Sequence, residues 1–459
     1  MVEEKHPEER SLAEELASLK DAEPTQFRVY KIRFLVVFSV FLLNIAASVL
    51  WVTFSSVSTQ AQSYYNVPMT VINLLSSLYM LMFVFFSLLS SWVLDEKGLK
   101  TALLIGGFLQ ILGAWIRYFG TFIGEEHSGG KIALAFLGQI MAGAAQTFVL
   151  NAPTKMAAVW FADNERALAN TVASLANPLG SAVGMVLATS VCTTPNEFPN
   201  ALLAAAIFTT AVTIPTLIIP KRPASPPSLT ASEPSEPFIP GLKACLKLPH
   251  FLILTLIFGV VVGMFNDIVT LLSEFINPFG YSDNDGSIFG VVLIVAGLVG
   301  GGICGFYLDR SRNFLGVFRM LITLLPLCLI ALIFTIREHD YAGICVNFGA
   351  IGMLAFAGLP VCLELGVETT YPVAEGTSSG ILWMVAQLFG FIIMFIMDAL
   401  RAGPESHPPY SMRNALIFSA VLVGVVCLLG LVFFKSENRR QNSSEFRAGP
   451  TTSKPKVTA

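Results

Sequence analysis

Apolar runs long enough to cross a bilayer alternate with short polar punctuation along nearly the whole chain. A membrane-spanning helix needs about 20 mainly apolar residues at 1.5 Å each. On that rule the first six spans are predicted near 34–57, 70–94, 101–123, 132–160, 168–191 and 200–219. A second six follow near 250–275, 287–308, 314–336, 341–370, 377–401 and 412–435. The fourth and tenth are long, and Pro153 and Pro360 are expected to bend them, because proline removes a helix hydrogen bond and crowds the preceding turn. Between the sets, 220–248 begins PKRPASPPSLTASEPSEPFIPG, which is Pro- and Ser-rich and reads as a flexible connector. The expected organisation is a tail at 1–30, a six-helix half at 31–219, a linker at 220–248, a second half at 249–436 and a tail at 437–459. The fold class is thus an all-α polytopic membrane protein of two six-helix halves.

Residues 1–27 are rich in Glu and Lys and present no short apolar run of the kind that a cleaved export signal carries, so the first span is expected to stay in the membrane. Lys and Arg set the orientation. They cluster on alternate segments, with Arg28, Lys31 and Arg33, then Lys97 and Lys100, Arg166, Lys221 and Arg222, Arg310 and Arg312, and Lys435, Arg439 and Arg440. Arg337, Arg401 and Arg413 are exceptions on the other side. Both termini are therefore expected in the cytosol.

Composition agrees with this pattern and narrows the function. Hydrophobic residues make up 54% of the chain and charged residues 13%, too few charges to cover a water-exposed surface. A net charge of −3 argues against nucleic acid as a partner. The seven Cys show no CxxC spacing, and the five His fall in tails, loops or helix ends, so neither a metal nor a cofactor is expected. The sequence carries no Ser-His-Asp, HExxH or P-loop pattern, which argues against an enzyme. Short outer loops argue against a non-transporting receptor. The partners expected are a small solute and the lipid bilayer, the chain is expected to be a monomer, and the plasma membrane is the default location.

Charged loops recur at equivalent points of the two halves. WVLDEKGLK (92–100) and GFYLDRSRNF (305–314) place Asp95 with Lys97 and Gly98, and Asp309 with Arg310. WFADNERALAN (160–170) and TYPVAEGTSSG (370–380) place Glu165 and Arg166 opposite Glu375. Glu364 and Glu368, four apart on the tenth span, join this set as candidate inner-gate groups. Two halves with matched charges at one face suit a carrier that rocks between states. The first pair of loops resembles the signature G-x-x-x-D-R/K-x-G-R/K of the major facilitator superfamily, with Ser91 where glycine is usual and Leu99 where a base is common.

Longer stretches carry a closer resemblance. RVYKIRFLVVFSVFLLN, INLLSSLYML, LGAWIR, GQIMAGAAQTFVLNAPTKMAAVWF, ANPLG, LDRSRNF and LPVCLELGVETTYPVAEGTSSG followed by AQLFG resemble the feline leukaemia virus subgroup C receptor family, most nearly its less-studied branch. The resemblance runs from 28 to 435. It implies a carrier for a choline-like, ethanolamine-like or vitamin-like solute, pyridoxine among them. Haem, another solute of the family, is less favoured, because no His lies within a span.

The resemblance also implies site residues. Trp51 matches a tryptophan that forms one wall of a quaternary-ammonium cage, and Gln146 and Gln387 match pocket glutamines. Asn266 stands where choline-carrying members have tyrosine, and Trp383 replaces a family asparagine and offers another aromatic wall. Beside Asn266, Asp267 is a carboxylate at membrane depth, a functional candidate on that ground alone. Bland readings stay open for each: an interfacial tryptophan, glutamines bridging helices, an acid paired with a neighbour or facing water. Arg117, near the outer end of the third span, is expected to snorkel to water without a functional role.

Overall fold

The computed structural model describes residues 29–124, 128–162, 165–225, 238–311, 313–370, 373 and 375–435. The tails, and the linker between 225 and 238, lie outside them. Among the described residues, 12 helices are long and apolar enough to span a bilayer, and none of these residues forms a strand.

The first half comprises α1 (Arg33–Ser56), α2 (Met69–Trp92), α3 (Leu99–Gly120), α4, α5 (Arg166–Val191) and α6 (Phe198–Ile218). Here α4 consists of two segments, Ser128–Leu150 and Ala152–Trp160. The second half comprises α7 (Pro249–Ile276), α8 (Asp283–Ser311), α9 (Phe314–Thr335), α10 (Tyr341–Thr370), α11 (Glu375–Ala399) and α12 (Arg413–Phe433). An even number of crossings puts Val29 and Lys435 at one face, termed proximal below; the opposite face is distal. Rows of large apolar side chains, including Phe85, Phe108, Phe334, Val346 and Val421, are exposed along the helix flanks, where lipid replaces water as solvent.

Glycine seams set the packing, and they repeat between halves. Small residues let helix backbones approach closely where lipid offers no hydrophobic drive to associate. In the first half, a Cβ on Gly180 or Gly184 of α5 would meet the backbone of Ile45 or Val49 on α1, and one on Gly143 of α4 would meet Met82 and Tyr79 on α2. The second half answers with Gly263 of α7 against Gly390 of α11, and Gly352 of α10 against the carbonyl of Leu293 on α8. Between the halves, α2 packs on α11, α5 on α8 and α1 on α7.

Three local features differ from the sequence reading. The fourth span breaks at Asn151, whose Nδ2 donates to Ser90 Oγ at 3.2 Å, and Pro153 sits in the first turn of the restarted helix, where its missing N–H costs nothing. By contrast, α10 carries Pro360 inside one continuous helix. The linker is not wholly irregular: Phe238–Cys245 is a helix, with Cys245 buried and Gly241 close to Val373 and Thr377 at the start of α11. A further short helix, Ser58–Tyr65, follows α1 on the distal side and ends at Asn66, which adopts a left-handed conformation with φ 51°.

Candidate functional site

Counted from Arg33 and Pro249, where α1 and α7 begin, Trp51 and Asp267 stand at the same depth in the corresponding helices of the two halves. Trp51 is 8% exposed, and its indole Nε1 has no hydrogen-bond partner. Seven residues earlier, Asn44 donates from Nδ2 to the carbonyl of Val149 at 3.1 Å, which ties α1 to α4. Two helical turns separate Asn44 from Trp51, so both lie on the face of α1 that α4 covers. Gln146 belongs to this α1/α4 seam, one turn from Val149, and is 7% exposed.

The second seam lies between α7 and α11. Asp267 is fully buried, and neither carboxylate oxygen has a partner. It lies one turn beyond Gly263, whose own Cβ position falls 2.6 Å from the backbone nitrogen of Gly390. The same face continues to Thr270 and Glu274, both buried. Gln387 is buried on α11, within a turn of Gly390. Trp383 is half-buried and meets Phe258 of α7 edge to face, with ring centroids 5.7 Å apart. Asn266 is half-buried, and its backbone carbonyl accepts from Thr270 Oγ1 at 2.8 Å. The structure thus sorts the six predicted residues into two seams, one per half, on helices that meet where α1 packs against α7.

An apolar crevice of about 30 Å³ lies inside the second half between α7, α9 and α10, lined by Phe258, Leu321, Leu354 and Cys362. With no polar group to satisfy, it suits no hydrophilic solute.

At the proximal face, both carboxylate oxygens of Glu165 accept from Arg33, whose guanidinium also lies 4.9 Å from the ring centroid of Phe161. Lys97 lies over the ring of Trp92 at 5.7 Å, and Arg310 over Phe306 at 4.5 Å. Gly98 closes the turn after α2 with φ +85°, a conformation that strains any residue with a Cβ. Glu364 is half-buried, and Glu368 is 5% exposed with Oε2 unpartnered. The side chains of Asp95, Arg166, Asp309 and Glu375 lie outside the described residues.

Sequence reasoning missed the distal closure. Asn73 of α2 donates from Nδ2 to Asp398 Oδ1 at 2.9 Å and to Glu274 Oε2 at 3.2 Å, bridging the halves. Arg401 pairs with Asp398 at 2.8 Å and with Glu274. Burial pulls the Arg401 guanidinium down to about 10, so at neutral pH it stays charged between the two acids. A second bridge joins Thr59, on the short helix after α1, to Asp283 at 3.3 Å through its backbone N–H, and Asn277 donates to Thr59 Oγ1 at 3.0 Å. The available signal was Arg401 itself, a base on the wrong face for the charge asymmetry, near acids at the ends of two spans.

Arg117 also departs from expectation. It is fully buried rather than snorkelling, and its Nη1 donates to the carbonyl of Leu50 at 3.1 Å and to Gln139 Oε1 at 2.7 Å. Gly138 explains why: any Cβ there would lie 2.5 Å from Arg117 Cγ, so the glycine makes room for the stem inside the bundle.

Comparison with known proteins agrees with this architecture. The Major Facilitator Superfamily profile matches residues 34–395. Over 438 residues the chain is 33% identical to solute carrier family 49 member A3 of Xenopus tropicalis, covering 90% of this chain and 89% of that one. It is 31% identical over 429 residues to the choline/ethanolamine transporter FLVCR1 of Felis catus, covering 89% of this chain and 74% of the relative. The crystal structure of a D-xylose-proton symporter matches with a TM-score of 0.65 at 13% identity, covering 88% of this chain and 98% of that one, a likeness of fold.

Proposed function

The chain belongs to the major facilitator superfamily, and on that premise we propose that it carries a small organic cation, choline-like, ethanolamine-like or vitamin-like, through a site shared by its two halves. It is a multi-pass membrane transporter of small solutes. The observation that carries the finer reading is Asp267, a carboxylate fully buried on α7 with neither oxygen partnered. An ionised carboxylate so placed costs several kcal/mol unless a cation or a proton joins it. A solute ammonium supplies that cation, and the faces of Trp51 and of the Phe258 and Trp383 pair offer about 0.5–2 kcal/mol per aromatic contact. Gln146 and Gln387 supply hydrogen bonds that fix the solute's polar end. Asn266 in place of an aromatic wall favours a solute with hydrogen-bonding groups beside its charge.

With both termini in the cytosol and the plasma membrane as location, the distal face is the outer one. The Asn73 and Asp283 bridges then shut the site from outside, and transport requires that they open while the proximal loops close. In that second state Lys97, Arg310 and the acids at Glu165, Glu364, Glu368 and Glu375 exchange partners across the proximal face.

Thermal unfolding of the purified chain tests the solute class. A ligand at about 100 times its Kd stabilises the native state by about 2.7 kcal/mol. Choline, ethanolamine or pyridoxine is expected to raise Tm, with the shift lost in Trp51→Ala. No shift with any of the three, in a chain that unfolds cooperatively, overturns the reading.

A further inference from the structure

Arg117 is fully buried near the distal end of α3, in the first half, and reaches α1 and α4 beyond Trp51 and Gln146 on the distal side. One of its nitrogens, Nη1, is satisfied by Leu50 and Gln139. Nε and Nη2 have no partner, nor do the amide nitrogen of Gln139 and the hydroxyls of Tyr79 and Tyr65. Tyr79 of α2 lies against Gly143 of α4, one turn along from Gln139, and among the described residues no carboxylate forms an ion pair with Arg117. Its cationic carbon lies 5.7 Å from the ring centroid of Phe54, which faces the charge without cancelling it.

Two physical points follow. A guanidinium removed from water without a counter-ion costs several kcal/mol. The unsatisfied groups around it are nearly all hydrogen-bond donors, or hydroxyls free to turn their hydrogens inward. Water offers acceptors to such a cluster but no charge. Gly138 and Gly113, each with the opposing backbone within 2.5 Å of its Cβ position, hold α3 and α4 close enough to keep the arginine inside.

We propose that Arg117, Tyr79 and Gln139 form a binding site for a small inorganic monovalent anion of chloride size, held as a fixed counter-ion within the first half. The anion is not the transported solute. It keeps α1 to α4 together in both transport states, because every residue of the site lies in one half. A polyatomic anion as large as gluconate does not fit between helices packed this closely.

The test is thermal unfolding of the purified full chain in chloride and in gluconate at equal ionic strength. Tm is expected to rise saturably with chloride and not with gluconate, and bromide is expected to replace chloride. Arg117→Gln, where it folds, is expected to lose the chloride dependence. Tyr79→Phe keeps the ring and removes one donor, so the chloride midpoint is expected to rise about fivefold or more. Equal Tm in chloride and gluconate, or an unchanged midpoint in Tyr79→Phe, overturns the proposal, and the first result would assign water to these donors.

Discussion

Asn73 and Asp398, 325 positions apart in the chain, are joined by a 2.9 Å hydrogen bond that ties the first half to the second at the distal face. The same amide reaches Glu274 at 3.2 Å. A neutral side chain of the first half, Asn73, therefore grips a charged cluster that the second half assembles for itself with Arg401. Such a grip is strong enough to favour one state and weak enough to release.

Replacing Asn73 tests that grip. Hydrogen bonds to charged groups contribute about 1.5–3 kcal/mol, so Asn73→Ala is expected to shift the balance toward distal opening by about 30-fold for a loss of 2 kcal/mol. A cysteine introduced at Thr270, buried between Asp267 and Glu274, reports this through its labelling rate with a membrane-impermeant thiol reagent on the distal side. The rate is expected to rise at least tenfold in Asn73→Ala over the same chain with Asn73. An unchanged rate means that the bridge does not hold the closed state.

Arg401 has a different part. Arg401→Gln leaves Glu274 and Asp398 side by side without their cation, and breaking a buried pair in this way costs about 3–5 kcal/mol. A marked fall in Tm is expected, with recovery of most of it in the double variant Arg401→Gln, Glu274→Gln. Failure of the second substitution to restore stability would show that Arg401 acts through packing rather than charge.

The glycine seams predict an order of damage. A Cβ on Gly352 would lie 1.9 Å from the carbonyl of Leu293, so Gly352→Ala must push α10 away from α8 and is expected to cost about 3 kcal/mol or more. Gly98 has open space around it but φ +85° and ψ 167°, so Gly98→Ala carries backbone strain alone, about 1–3 kcal/mol. Thermal unfolding of the two variants should place Gly352→Ala lower; the reverse order contradicts the packing described.

How much of this was legible in the sequence depended on which solvent or partner fixes each residue. The bilayer imposes length and hydropathy directly, so α12 at Arg413–Phe433 was readable as a run at 412–435. The eight residues of Phe238–Cys245 are too few to announce themselves, and their helix depends on docking beside the start of α11. Arg117 followed the snorkelling rule on sequence alone; its burial needs Gly138 on another helix, a tertiary fact. The bridge from Asn73 to Asp398 likewise depends on how the halves meet, although the misplaced charge of Arg401 marked the spot. Trp51, Gln146 and Gln387 were nameable through the resemblance to a known family and Asp267 as a carboxylate at membrane depth, and all four are buried.

Asp267 separates stability from transport. Removing the charge of an unpartnered buried carboxylate is expected to leave Tm unchanged or higher. Asp267→Asn should therefore fold at least as well as the parent chain while its transport falls tenfold or more. Lower stability with transport retained would place Asp267 in the scaffold instead of the solute path.

Uptake of radiolabelled choline, ethanolamine and pyridoxine by cells expressing the chain, at matched surface amounts with Trp51→Ala and Asp267→Asn alongside, bears most directly on the whole account. Saturable uptake of at least one solute is expected, with kcat/KM reduced tenfold or more in each variant. Uptake no greater than in cells without the chain for all three solutes, or uptake undiminished in Trp51→Ala, would contradict a cation site between the halves.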